Sequence, residues 1–290
     1  MVWHTKYWDA VEQLYWTPSH LGLRSIPRSQ WGEDSNVIQF PREAVQASGS
    51  IYTRAGSSIA NAERMRALEE TLNHIFDITF AIAPDQMIAK LLHAAAQIQD
   101  QGPFERVGKE MKTRFGWGEA NVTQPDGFFV SPSSILSVEL KLGSKTRPEQ
   151  VLKYLAVTHL EECRSGRRAE VALLYITPQS PHMIWQQAGG GENGHLPPNF
   201  ISQFDPEKLN SRLKRIFLEG YDQLEALSHR LRLAHLSWHE LVNGCNKVIA
   251  GLEQSRAGDE TLARLLLGFV TAVQEHKGTN CVRNDNASES

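Results

Sequence analysis

Two apolar stretches and the helix between them constrain this chain most. "SILSVELKL" (Ser134–Leu142) and "EVALLYITP" (Glu170–Pro178) are rich in aliphatic and β-branched residues. The second is almost continuously apolar, as expected of a strand buried on both faces. Between them "RPEQVLKYLAVTHLEE" reads as a helix. Thr146 and Glu149 have capping-box spacing, and Pro148 falls in the first turn. With "GFFV" (Gly127–Val130) as a preceding strand, the order is strand, strand, helix, strand. That order predicts an α/β fold with a mixed sheet and a crossover helix.

The third stretch of interest lies inside the first strand. Residues two apart on a strand point to one face, so Glu139 and Lys141 share a face, with Val138, Leu140 and Leu142 on the other. Asp126 sits in the "PDG" turn, and a hairpin from Phe128 to Val138 brings that turn near Glu139. Two clustered carboxylates repel unless a cation joins them. Hard oxygen ligands suit Mg²⁺ or Mn²⁺. Lys141 is then placed to orient a water or to stabilise charge on a phosphate. The bland alternative is an exposed cross-strand pair, worth only ~0–1 kcal/mol. The flanking aliphatics argue for a central strand, where an unpurposed charge pair is costly.

Pro125-Asp126 followed by Glu139-Leu140-Lys141 resembles the motif of the PD-(D/E)xK nuclease superfamily. Gln150 and Tyr154, four apart on one face of the next helix, resemble the Q-x-x-x-Y element of its RecB-like branch. The resemblance covers about 60 residues, Glu119 to Pro178, with a helix upstream. It implies a restriction-endonuclease-like mixed sheet flanked by helices, and Mg²⁺- or Mn²⁺-dependent hydrolysis of DNA phosphodiesters. Asp126 and Glu139 are the implied metal ligands. Lys141 is the implied group that positions or deprotonates the water. Gln150 and Tyr154 orient water, ligands or phosphate.

The superfamily often adds a glutamate from an upstream helix. "SSIANAERMRALEETLNHIF" carries an apolar stripe at Met65, Leu68, Leu72, Ile75 and Phe76. At ~100° per residue, Glu69 falls beside that stripe and Glu70 points away, so Glu69 is the preferred third metal ligand over Glu63, Glu70, Glu105 and Glu110. "APDQMIAKLLHAAAQIQ" reads as a second helix with Pro84 near its start, and "FERVGKEMKTRFG" as a partial strand. The expected organisation is a mostly irregular extension over 1–56 with a short helix near Tyr7–Tyr15, a nuclease-like core over 57–200, a helical C-terminal region over 201–278 with breaks near Gly244 and "RAGDE", and a flexible tail over 279–290.

Net charge is -3, so general polyanion binding is not expected. Residues 101–170, however, carry 11 Lys+Arg against 9 Asp+Glu, so a phosphate backbone should bind there. Lys145, Arg147 and Lys153 flank the site and are the expected DNA contacts. Arg164, Arg167 and Arg168 read as a solvated turn. Cys163, Cys245 and Cys281 show no paired spacing, which fits a reducing cytoplasm. No secretory signal is read at the N-terminus, and "LLLGFVTAV" falls well short of the roughly 20 residues of a membrane span. His235 and His239, at i and i+4, offer two metal ligands on a helix without a third. "AGGGENG" lacks the Lys-Ser/Thr of a phosphate-binding loop and reads as a surface loop. The C-terminal helices are expected to pack as core or to dock a second copy or a partner protein. The expected biology is DNA repair, restriction or phage defence. The rival readings are a site-specific restriction endonuclease and a partner-dependent nucleic-acid-binding subunit.

Overall fold

The computed structural model describes residues 69–108, 111–117, 122–191, 193–253 and 255–281, with side chains from Leu72 onward. The expected helix near Tyr7–Tyr15, the start of the apolar stripe at Met65 and Leu68, Glu63 and Glu110 lie outside them.

The two apolar stretches form the centre of a five-stranded sheet in the order β1-β2-β3-β4-β5. The strands are β1 (Glu105–Arg106), β2 (Gly127–Val130), β3 (Ser134–Leu140), β4 (Glu170–Ile176) and β5 (Arg232–Leu236). β1, β2 and β3 run antiparallel in succession, and β3, β4 and β5 are parallel. The mixed α/β sheet expected from the sequence is therefore present. Every residue of β3 is buried, as is all of β4 after Glu170. Both strands pack helices on both faces, which explains their continuous apolar character.

One face carries Phe129, Leu136, Val138, Leu140, Leu174 and Ile176. It packs against helices α1 (Glu69–Ile82), α8 (Trp238–Ala250) and α9 (Ala257–Glu275). The other face carries Phe128, Ile135, Val171, Leu173 and Tyr175. It is covered by the crossover helix α4 (Pro148–Ser165), together with α5 (Pro181–Ala188), α6 (Ser211–Glu219) and α7 (Tyr221–Ser228). The remaining helices are short: α2 (Asp85–Ile88), which runs on into a π-turn over Ala89–His93, and α3 (Met111–Arg114). No described helix is long and apolar enough to cross a membrane.

The β2–β3 turn is held by Asp100, whose Oδ2 accepts from the hydroxyls of Ser133 (2.8 Å), Ser134 (2.6 Å) and Ser131. Burial works against the Asp100 charge, but these serines and the Gly102 N–H bring its pKa down to about 2. Helix α4 starts with Pro148 and ends at Gly166, whose φ of 64° is the left-handed stop that favours glycine.

Four local expectations are corrected. The Thr146–Glu149 capping box does not form: Arg147 is the N-cap, and no side chain caps the helix. The Thr146 N–H instead donates to Gln187 Oε1 at 3.1 Å. "FERVGKEMKTRFG" yields only the two-residue β1 before α3, because Val107 and Met111 turn into the α4-side core. Residues 201–278 are not wholly helical. "RLAHL" forms β5 beside β4, because adding it buries the edge of the parallel sheet. Gly244 does not break a helix: it lies within α8, where a Cβ would meet Leu91 Cδ2 at 2.7 Å, so glycine permits that close packing.

Candidate active site

The site gathers where β3 ends. Glu139 is the penultimate residue of β3, and Lys141 follows it with its N–H donating to Ile176 O at 2.9 Å. The ladder therefore carries Lys141 past the strand end, and both side chains leave the α4-facing side. They are 7% (Glu139) and 8% (Lys141) exposed, with Lys141 Nζ 2.5 Å from Glu139 Oε1. The exposed-pair alternative does not describe this geometry. Trp238 Nε1 donates to Lys141 O at 3.1 Å and ties this point to α8.

The crossover helix delivers two more donors. Gln150 Nε2 donates to Glu139 Oε1 at 2.5 Å. The Tyr154 hydroxyl donates to Glu139 Oε2. Their four-residue spacing puts both over the strand end, one turn apart. Burial pushes the Tyr154 phenol well above its ordinary pKa, and Glu139 and Asp126 add to the push. Both carboxylates therefore act on one fully buried hydroxyl, which stays protonated and remains a donor.

Asp126 precedes β2, and the hairpin register pairs Gly127 with Val138. Asp126 Oδ2 accepts the Leu140 N–H at 2.8 Å, and Oδ1 accepts from Asn73 Nδ2 at 2.7 Å. Arg106 donates to the Asp126 carbonyl at 2.7 Å. Gly127 allows the close approach: a Cβ there would lie 2.9 Å from Val138 Cβ and within 3.2 Å of the Phe129 and Phe76 rings.

The structure thus brings together Asp126, Glu139, Lys141, Gln150 and Tyr154, all named from sequence. Glu69 begins the described part of α1, one turn before Asn73. Its backbone position is on the helix face that reaches Asp126, while the side chains of Glu69 and Glu70 lie outside the described residues. Glu105 sits away from the site: it pairs with Val130 at the other end of the hairpin and binds Arg114 at 2.6 Å. Lys145 and Arg147 are exposed beside the N-terminus of α4. Lys153 is bound to Glu149 at 3.0 Å.

The histidine pair is corrected. His235 lies on β5 and its Nε2–H donates to Gln179 O at 2.8 Å, while His239 lies on α8. The capping box of Ser237 and Glu240 starts a new helix between them, so they share no helix face.

Sequence reasoning did not find Asn73. Its Oδ1 is buried without a hydrogen-bond partner, next to the carboxylate that its Nδ2 contacts. An orphaned hard oxygen beside Asp126 fits a divalent cation. Glu139 already accepts from Lys141, Gln150 and Tyr154, leaving little of its roughly four lone-pair capacity, so a cation there displaces or shares a donor. Among the described residues no three His, Cys, Asp or Glu side chains gather as a metal site. The oxygens to hand are those of Asp126, Glu139 and Asn73.

Comparison of the chain with protein-family models, curated proteins and solved structures finds no match.

Proposed function

We propose that this protein is a metal-dependent nuclease that hydrolyses DNA phosphodiester bonds, with a restriction-endonuclease-like core. The observation that carries the reading is the convergence of Asp126, Glu139 and Lys141 from one hairpin with Gln150 and Tyr154 from the crossover helix. A buried charge cluster of this kind is expensive as a purely structural device. Perturbed groups gathered at a strand end mark functional sites.

Asp126, Glu139 and the orphaned Asn73 oxygen are the groups that would hold Mg²⁺ or Mn²⁺, with Glu69 as a further carboxylate from the same helix as Asn73. A bound divalent ion supplies Lewis-acid polarisation of the phosphate and acidifies water. Lys141 places a positive charge beside Glu139, where it stabilises negative charge developing on the phosphoryl oxygens. Gln150 and Tyr154 hold the Glu139 carboxylate in one orientation. Lys145 and Arg147, exposed beside the site, meet the phosphate backbone.

The test is incubation of the purified protein with plasmid and with single-stranded DNA, with Mg²⁺ or Mn²⁺ and with EDTA. Cleavage should require the metal and be lost in Lys141→Ala. Cleavage by Lys141→Ala equal to wild type refutes the mechanism. Asp126→Asn should abolish the rise in melting temperature with Mn²⁺, and a surviving shift removes Asp126 from the ligand set.

A further inference from the structure

Helix α1 reaches the turn of Asp126 by two routes. Asn73 Nδ2 donates to Asp126 Oδ1 at 2.7 Å. Four residues on, one turn further along the same helix face, Asp77 Oδ1 accepts from Arg106 Nη2 at 2.5 Å. The same Nη2 donates to the Asp126 carbonyl at 2.7 Å, and Nη1 donates to the Val107 carbonyl at 3.0 Å. Arg106 stands on β1 opposite Phe129, and its guanidinium carbon lies 5.1 Å from the centroid of that ring. Phe129 belongs to the sheet face that packs against α1. The Arg106 side chain therefore crosses β2 on that face, from the edge strand to the turn ahead of Gly127.

These contacts close a ring. It runs from α1 through Asn73 to the Asp126 carboxylate, from the Asp126 carbonyl to Arg106, and from Arg106 through Asp77 back to α1. Asp126 precedes β2, so the strand ladder does not fix it. Asn73 and the Leu140 N–H hold its carboxylate, while the guanidinium holds its main chain. The Arg106 side chain is 10% exposed and that of Asp77 is 51% exposed. A cation so far out of water needs partners to offset its lost hydration. One of the partners taken here is the backbone of a carboxylate in the candidate site. The fork of donors lets one arginine serve Asp77, Asp126 and Val107 together, whereas lysine offers a single nitrogen.

We propose that Arg106 is the positioning residue of Asp126, anchored to α1 by Asp77. It sets the turn from which Asp126 presents its carboxylate, and it acts without touching metal or DNA. The inference rests on the reading of Asp126 as a metal-holding carboxylate.

The experiment uses the full chain with Arg106→Met, Asp77→Ala and the double variant. Glu161→Ala, in the ion-pair network of Arg114, loses stability away from the site and serves as the control. Each is checked for folding by circular dichroism, then titrated with Mn²⁺ by thermal shift and assayed on DNA. Loss of an outer partner of a metal-holding group commonly costs about 10-fold to 100-fold in affinity or activity. Half-saturation by Mn²⁺ should rise at least about 10-fold in each single variant, and kcat at a fixed Mn²⁺ concentration should fall, with KM for DNA unchanged. The double variant should be no worse than Arg106→Met, because Asp77 acts through Arg106. In Glu161→Ala half-saturation should stay at the wild-type value. If Arg106→Met does not fold, Asp77→Ala carries the test, since that side chain is half exposed. Half-saturation within about two-fold of wild type in either single variant overturns the inference alone, since wild type still responds. A rise in Glu161→Ala as large as that in Arg106→Met also overturns it, because the effect is then a general loss of stability. A wild type with no Mn²⁺ response overturns the nuclease reading and this inference with it.

Discussion

Replacing Lys141 by methionine removes the ammonium and keeps most of the apolar stem. The Lys141 Nζ–Glu139 Oε1 distance is 2.5 Å, and both side chains are below a tenth exposed. The variant leaves the Glu139 carboxylate with the Gln150 amide and the Tyr154 hydroxyl. Removing one partner of a buried ion pair costs about 3–5 kcal/mol. Lys141→Met should therefore lose about 3–5 kcal/mol. Adding Glu139→Gln removes the stranded charge, and the double variant should recover to within about 1 kcal/mol of wild type. The assay is urea unfolding in EDTA. A loss below about 0.5 kcal/mol in the single variant, or no recovery in the double variant, refutes the claim that this is a desolvated pair.

His93 is fully buried with both ring nitrogens unpartnered, and burial lowers its pKa to about 4, against a smaller upward pull from Asp100. The unfolded chain then protonates first, so stability should fall by up to about 3 kcal/mol as pH drops from 6.5 to 4. His93→Leu should flatten that slope in denaturant titrations, and an unchanged slope assigns it elsewhere. Gly127→Ala forces a Cβ against Val138, Phe129 and Phe76 and should cost about 1–3 kcal/mol; since Asp126 is adjacent, the Mn²⁺-induced melting shift should shrink too. Glu161 is fully buried between Arg114 at 2.7 Å and Arg164 at 2.7 Å. Glu161→Ala should destabilise by about 3 kcal/mol without changing the Mn²⁺ shift, and an altered shift ties this network to the site.

Periodicity alone determined which residues share a face. Alternation put Glu139 with Lys141, helical spacing put Gln150 with Tyr154, and the unbroken apolar runs made β3 and β4 central. These are properties of neighbours in the chain, which backbone geometry fixes without reference to the rest of the fold. What lay beyond local rules came from pairing and packing. "RLAHL" is too short to declare itself a strand among helices, and only the open edge of β4 recruits it. That edge separates His235 from His239 and removes their apparent shared face. Asn73 and Tyr175 carry no motif. Asn73 reaches Asp126 because α1 packs over the hairpin, across 53 residues of chain, and Tyr175 stands beside Glu139 only through the parallel register. The charges of the strand were legible in the sequence. The donors that hold them were decided by the tertiary structure, because burial and distance between remote segments exist only once the sheet and its helices have closed.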